Sequence, residues 1–410
     1  MSNQNNIPQL RFKEFEGVIK EVQFGKVISS NIYGPRFNAN DYSDFGNVKT
    51  IRGTDLGSDG EIKYDQVPLA LLDEKMVNTH KLLDGDIVMI TTAECGATGV
   101  YRKQEIDFLS SAYGVRLRLN EHGYPYYFKY FFQTHQAKKE INSYIRKSTI
   151  ANLPGSDILR IKVFLPSFPE QQKIASFLSA VDEKTQQLSR KKELLKQYKK
   201  GVMQQLFSGK LRFKDENGQE YPDWEEKKLG EVAKFSKGKG ISKNEISEDG
   251  IYECIRYGEL YTRYGEVIQN IYSKTNFDIN KAVVSQANDV IIPASGETQI
   301  DIATASCVMK SGVILGGDLN IIRTKNNGIF LSYYLNSARK LDIANLSQGI
   351  SVVHLYSSQL ALLNLSIPVI EEQQKIANFL SGIDGKIEQV NGELVKTQEF
   401  KKGLLQQMFV

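Results

Sequence analysis

The feature that most constrains how this chain folds is a duplication. Residues 165–207 and 367–409 align without a gap at a shift of 202, and 19 of 43 positions are identical. Shared blocks include Glu170-Gln-Gln-Lys-Ile-Ala with Glu372-Gln-Gln-Lys-Ile-Ala, and Lys199-Lys-Gly with Lys401-Lys-Gly. A repeat fixes the architecture before local propensity is weighed. Fainter echoes precede each copy. Leu10-Arg-Phe-Lys13 matches Leu211-Arg-Phe-Lys214, Phe24-Gly-Lys-Val27 matches Leu229-Gly-Glu-Val232, and Ser148-Thr-Ile-Ala-Asn-Leu153 lines up with Ile350-Ser-Val-Val-His-Leu355. Between these anchors the halves hardly match. The pattern is a kept scaffold around a divergent interior, used twice.

Both copies read as long helices. Prolines stand at the start (Pro166 and Pro169; Pro368), Glu170, Glu371 and Glu372 fall in the first turn, and helix formers then dominate. In the first copy Ile174, Val181, Leu188, Leu195 and Val202 recur every seven residues, while Thr185, Lys192 and Lys199 interrupt the second seam row. In the second, Ile376, Leu380, Ile383, Ile387, Val390, Leu394, Leu404 and Met408 fill both rows, interrupted by Thr397 and Lys401. This heptad pattern predicts that the helices pack on each other as a coiled coil, against the alternative of two amphipathic helices each lying on its own domain. The first helix runs on through Ser208-Gly-Lys-Leu-Arg-Phe213, whereas the Leu-Arg-Phe that would follow the second helix stands at residues 10–12. Such a permuted repeat predicts a cyclic arrangement with a pseudo-twofold axis and residues 10–12 near the end of the second helix.

The expected division is therefore 1–164, a central helix at 165–210, a second domain at 211–366, and a helix at 367–410. Short β-rich stretches, Gly85–Ile90, Val115–Leu119, Asn288–Pro293 and Asn320–Arg323, are bounded by Gly, Asn and Asp. Each half then carries an aromatic-rich helical stretch, Tyr124–Ser143 and Ile329–Leu341. The expected class is α+β, with mixed or antiparallel sheet in two domains separated by the paired helices. Basic residues near turns are candidate nucleic-acid contacts: Arg36, Lys49, Arg52, Arg102, Lys103, Arg146 and Lys147 in the first half, and Lys237, Lys239, Lys243, Arg256, Arg263 and Arg339 in the second. Many sit beside Tyr or Asn. An Arg fork can read a base edge, and Lys mostly holds phosphate.

Chemistry-bearing patterns are missing from the sequence. No GxxxxGK[ST] loop is present, and Gly238-Lys-Gly240 is wrongly spaced for one. There is no Asn-Pro-Pro-aromatic or Asp-Pro-Pro-aromatic run of an adenine methyltransferase, and His80, His122, His135 and His354 form no HExxH or zinc cluster. Asp59-Gly-Glu61-Ile-Lys63 resembles the tail of a nuclease carboxylate–lysine motif, which keeps a metal-dependent nuclease as a rival. A duplicated coiled-coil adaptor that binds only proteins is the other rival. The net charge of +4 permits nucleic-acid binding without demanding it. Three scattered cysteines, Cys95, Cys254 and Cys307, suit a reducing cytoplasm, and neither a signal peptide nor a membrane span is expected.

The duplicated Pro-x-x-x-Glu-Gln-Gln-Lys-Ile-Ala-x-Phe-Leu-Ser helix, one copy central and one C-terminal, resembles the signature of type I restriction-modification specificity subunits. The Leu-Arg-Phe-Lys starts and the Asp-Ile-Val and Asp-Val-Ile strands go with it, so the resemblance covers essentially the whole chain. It implies a non-catalytic subunit that reads double-stranded DNA. Each variable half would be a target-recognition domain for one part of a split, asymmetric site. The helices would serve as spacer and as docking surface for two adenine methyltransferase subunits and two restriction subunits. S-adenosylmethionine, ATP and Mg would belong to those partners; the resemblance implies no cofactor or metal on this chain.

Overall fold

The computed structural model describes residues 7–147, 149–241, 243–349 and 352–409. Ser148, Ile350 and Ser351, which begin the last of the faint echoes, lie outside the described residues. The chain forms two compact units. One comprises Met1–Ser189 with Gly392–Val410, the other Arg190–Asn391.

In the first unit an antiparallel sheet runs in the order β2 (Ile28–Tyr33), β8 (Gly114–Leu119), β5 (Ile87–Ile90) and β6 (Thr98–Val100). A second sheet runs β4 (Leu69–Ala70), β3 (Val48–Ile51) and β7 (Asp107–Ser110), with β3 and β7 parallel. The pair β1 (Lys20–Gln23) and β9 (Lys162–Leu165) brings the chain in and out. Every residue of β5 is buried, because Ile87 and Met89 enter one apolar cluster and Val88 and Ile90 another. Helices α1 (Glu74–His80), α2 (Pro125–Phe131), α3 (His135–Tyr144) and α4 (Gly155–Ile158) complete this unit.

The second unit repeats the plan. Its main sheet is β11 (Ala233–Lys237), β19 (Leu319–Thr324), β15 (Asp289–Pro293), β17 (Ser306–Val308) and β13 (Val267–Ile268). Beside it stand β14 (Ser273–Thr275), β12 (Tyr252–Ile255) and β18 (Ile314–Leu315). Two short pairs join β16 (Ser295–Gly296) to β20 (Val353–His354), and β10 (Glu225–Lys228) to β21 (Asn364–Ile367). The helices are α6 (Leu229–Val232), α7 (Glu259–Thr262), α8 (Gln299–Ile302), α9 (Gly328–Ser337), α10 (Lys340–Leu346) and α11 (Ser357–Leu360).

The two aromatic-rich stretches differ from expectation, since each is two helices rather than one. Thr134 breaks the first by donating its hydroxyl to Phe131 O and capping α3 through the Ala137 amide. Arg339, with φ −119° and ψ 4°, breaks the second.

The long helices are α5 (Phe168–Phe207) and α12 (Ile370–Gln407), and each contributes to both units. In the first unit Ile174, Leu178 and Val181 share a core with Leu404, Met408, Phe409 and the aromatics of α2. In the second, Val202, Met203 and Leu206 share one with Ile376, Leu380, Ile383 and the aromatics of α9. The seam residues Leu188 and Val390 are buried too, whereas Leu195, Ile387 and Leu394 are half-buried. Lys192 Nζ donates to Asn391 Oδ1 (2.7 Å), and the later Lys199 meets the earlier Asp384 (2.7 Å), so the helices run antiparallel. Lys401 binds Asp182 (2.5 Å) in the first unit. The lysines that interrupt the heptads are therefore paired polar layers. Thr185 and Thr397 turn their hydroxyls to their own helix carbonyls, Val181 O and Glu393 O.

The permuted repeat closes as the sequence predicts. Leu211 N donates to Gln205 O (3.1 Å) where the chain leaves α5. Leu10 N makes the equivalent bond to Gln407 O (2.9 Å) without covalent continuity.

Candidate nucleic-acid interface

What the repeat preserves is a set of buried polar contacts. Glu170 is 1% exposed and takes a bidentate hydrogen bond from Arg11 (2.7 and 2.9 Å); Glu372, fully buried, takes the same from Arg212 (3.1 and 2.7 Å). Hydrogen bonding to these carboxylates raises the pKa of both guanidinium groups, so Arg11 and Arg212 stay charged. Gln171 and Gln373 follow, and each amide bridges the helix start to the domain. Gln171 accepts from Tyr124 N and donates to His122 O and Pro166 O. Gln373 accepts from Asn327 N and donates to Asn326 Oδ1 and Pro368 O. Phe12 stacks edge-on against Phe177, and Phe213 against Phe379. The Glu-Gln-Gln and Leu-Arg-Phe motifs are thus two halves of one joint.

A second joint ties each domain to both helices. Tyr130 Oη donates to Asp182 Oδ2 (2.9 Å), while Lys401 from α12 binds the same carboxylate and lies over the Tyr130 ring. In the other unit Tyr333 Oη donates to Asp384 Oδ2 (2.5 Å), while Lys199 from α5 binds that carboxylate and lies over the Tyr333 ring. Burial first, and then the neighbouring aspartate, pushes both phenols above their ordinary pKa, so they stay protonated donors.

Within each unit the strand ends converge on one cluster of loops. In the first, Ser111 N donates to Ile51 O, Gly34 N to Gly114 O, Thr91 N to Tyr113 O and Leu153 N to Thr91 O. In the second, Gly316 N donates to Ile255 O, Gly238 N to Leu319 O, Ala294 N to Asp318 O and Leu355 N to Ala294 O. The two sets correspond bond for bond. Glycine is required where loops cross: a Cβ on Gly34 would stand 2.0 Å from Ser110 O, and one on Gly238 1.9 Å from Gly316 O. Behind the loops Asp86 clamps Arg118 and Asp289 clamps Arg323, both bidentate at 2.7–2.8 Å.

The thirteen basic candidates divide by position. Arg36, Arg52, Arg146 and Lys147 lie on the loop cluster of the first unit, and Lys237, Lys239 and Arg256 on that of the second. Arg102 and Lys103 lie at the far end of β6, beside Glu61 and Asp84. Lys49 sits mid-strand and donates to Tyr64 O. Lys243 is exposed beyond the cluster, Arg263 lies over Tyr272, and Arg339 is held by Asp342 and Tyr334. Of the thirteen, Arg36, Lys103, Lys147, Lys237, Lys239 and Lys243 are exposed with no ion pair among the described residues, and Lys237 lies over the Tyr356 ring. Asp59 and Glu61, the nuclease-like pair, occupy a turn in which the Glu61 carboxylate is taken by Lys129.

One correspondence escaped the sequence reading. Ile51-Arg-Gly-Thr-Asp55-Leu matches Ile255-Arg-Tyr-Gly-Glu259-Leu at a shift of 204, so Arg52 and Arg256 are equivalent. The Arg-x-x-acid spacing was the available signal.

The family model of the type I restriction modification DNA specificity domain matches residues 19–197 and again 221–396. The chain belongs to this family. Its two matched segments include both recognition domains and most of both long helices. A Methanocaldococcus jannaschii protein assigned as a type I restriction enzyme MjaX specificity subunit is 26% identical over 345 residues, covering 82% of this chain and 80% of that one. The type I restriction enzyme StySPI specificity subunit of Salmonella potsdam is 24% identical over 377 residues, covering 85% and 79%. Among solved structures, the type I restriction-modification S subunit of M. genitalium shares the fold, with a TM-score of 0.61 over 98% of this chain and 99% of that one at 17% identity. Within this specificity family the α+β class and the two long helices of the present chain are the expected architecture. No helix among the described residues is long and apolar enough to cross a membrane.

Proposed function

We propose that the chain is the DNA-reading subunit of a type I restriction-modification complex and has no chemistry of its own. Each unit reads one part of a split, asymmetric double-stranded site with its loop cluster. The observation that carries this reading is the contrast between joints kept residue for residue and loop clusters whose side chains differ. Kept joints suit a scaffold that always meets the same partners, and unlike loops suit two unlike half-sites.

Two modification subunits dock on the helices, and two restriction subunits complete the assembly. S-adenosylmethionine, ATP and magnesium sit on those partners. Exposed aromatics support the docking: Tyr198 on α5 is 53% exposed, and Phe400, its duplicate on α12, is 55% exposed. Two copies of one partner would each meet the same aromatic.

Long-read methylation mapping tests this in cells carrying an adenine methyltransferase partner, with and without this chain. One split, asymmetric N6-methyladenine motif that depends on the chain is expected. A folded partner that gives no such motif overturns the reading in favour of a protein-binding adaptor. Cleavage by the purified chain with magnesium, abolished by Glu61→Ala, would instead establish the nuclease.

A further inference from the structure

We infer that Arg52 and Arg256 are paired phosphate anchors, one in each recognition domain, that hold DNA without reading its sequence. The inference rests on the DNA-reading function proposed above and adds a division of labour within the loop clusters. Three observations carry it.

First, the two arginines are equivalent, as are the Asp86–Arg118 and Asp289–Arg323 clamps behind the loops, but they stand at the loop cluster itself, each directly following the last residue of a strand, β3 or β12. Those strand ends, Ile51 O and Ile255 O, receive the equivalent amides of Ser111 and Gly316. Each arginine therefore stands on a floor built the same way in both units.

Second, each is tethered by a buried acid three residues on. Asp55 is fully buried and Glu259 is 4% exposed. Each carboxylate accepts the backbone amide of its arginine, at 2.8 Å from Arg52 N and 2.9 Å from Arg256 N. Together with the backbone bonds from Asp55 N to Arg52 O (3.0 Å) and from Glu259 N to Arg256 O (3.1 Å), that bond closes the turn. The guanidinium also compensates the buried carboxylate, but it shares that role with Gln66 Nε2 at Asp55 (3.1 Å) and with Ser273 Oγ at Glu259, so it is not the sole support of the loop. Arg52 presents its Nε and Nη2 edge to Asp55 (3.1 and 3.0 Å), which leaves Nη1 without a partner among the described residues. Its side chain is 44% exposed. Arg256 is held more loosely, with Nε 4.0 Å from Glu259 and 27% of the side chain exposed; that Nε is buried and has no hydrogen-bond partner. Arg52, fixed on one edge and open on the other, is preorganised for an oxyanion, since little rotamer freedom remains to be lost; Arg256 is less constrained and offers an unpartnered Nε instead.

Third, the two reading surfaces differ, so a contact common to both must be to something that unlike half-sites share. DNA offers the phosphodiester backbone in that role, and phosphate contacts position a reader while base edges specify. Among the free basic residues that have no counterpart in the other unit, Arg36 carries a fork that can read a base edge.

The test measures binding of the full-length chain to a duplex carrying its methylation motif and to a scrambled duplex of equal length. Arg52→Gln, Arg256→Gln and the double variant are titrated from about 50 to 200 mM salt. Each single substitution is expected to lower the log–log salt slope by about 0.9, and so to remove about threefold of the affinity lost across that range. Both duplexes should weaken alike, and the motif methylated in cells should stay the same. Arg→Lys at either site should restore the slope, because an ammonium still neutralises phosphate. A changed base preference in one half-site would make the residue a sequence reader and overturn the inference. So would an unchanged slope accompanied by a lower Tm, which marks a structural arginine. A parent chain that binds neither duplex would overturn the DNA-reading function and the anchors together. A parent that binds with the slope unmoved by both substitutions overturns the anchors alone.

Discussion

Glu170 and Glu372 are carboxylates held almost wholly out of water, and each is covered by an arginine from a distant segment, with Trp224 Nε1 also donating to Glu372 (3.1 Å). Removing one partner of a buried pair costs more than the pair is worth, because the other charge is stranded. The two directions are unequal here. Arg11→Met leaves a carboxylate that is 1% exposed, whereas Glu170→Gln leaves a guanidinium that still reaches Gly17 O (2.6 Å) and solvent. Arg11→Met should lower stability by about 3–5 kcal/mol and Glu170→Gln by about 1–2 kcal/mol, read from urea unfolding of the full chain. Equal losses would show that the carboxylate reaches water in a way its burial does not suggest. None of this pairing was legible residue by residue. The sequence shows Leu-Arg-Phe and Glu-Gln-Gln as separate echoes, and the contact joins positions 159 residues apart in one unit and 160 in the other.

At the scale of elements, the long helices were legible because a seven-residue apolar period survives every local interruption. The interruptions themselves were not, since Lys199 and Lys401 look like flaws until Asp384 and Asp182 arrive from the antiparallel partner. The interiors were harder for another reason. The duplicate frame stands at 201 for Leu10, slips to 204 at Ile51 and returns to 202 in the helices, so insertions hid the Arg-x-x-acid turn. Aromatic runs misled for a third reason. The breaks fall at Thr134, whose hydroxyl caps α3, and at Arg339, whose backbone leaves the helical region without a side-chain cap. The outward aromatics of the helices carry a prediction at this scale. Tyr198→Asp or Phe400→Asp alone should leave one of two modification subunits bound, and the double substitution should release both, as read by native mass spectrometry. Release of both subunits by a single substitution would argue against two equivalent docking sites.

For the whole molecule, the two units share a plan of sheets, joints and loop bonds while differing in the residues they expose, so their loops should be separately replaceable. Exchanging residues 222–366 for those of a relative should change one half of the methylated motif and leave the other intact, as read by methylation mapping. A change in both halves would mean that the readers are not independent. The sequence foretold this duplicate plan, because a gapless repeat of 43 residues admits few alternatives. The base-contacting residues remained hidden within it, since exposed Arg and Lys are ordinary surface residues wherever they occur.

The interleaving of chain and unit also bears on the order of events during synthesis. The unit formed by Arg190–Asn391 is one continuous stretch and can fold as soon as it leaves the ribosome. The other begins earlier in the chain but closes its core only with Leu404, Met408 and Phe409, the last of which packs on Tyr127 and Phe131. At roughly 5–20 residues per second, that leaves a nascent domain waiting roughly 10–40 s for its final side chains. Of the two units, the one whose translation starts earlier is thus the later to be completed, and until then Tyr127 and Phe131 lack the ring of Phe409 that packs on them.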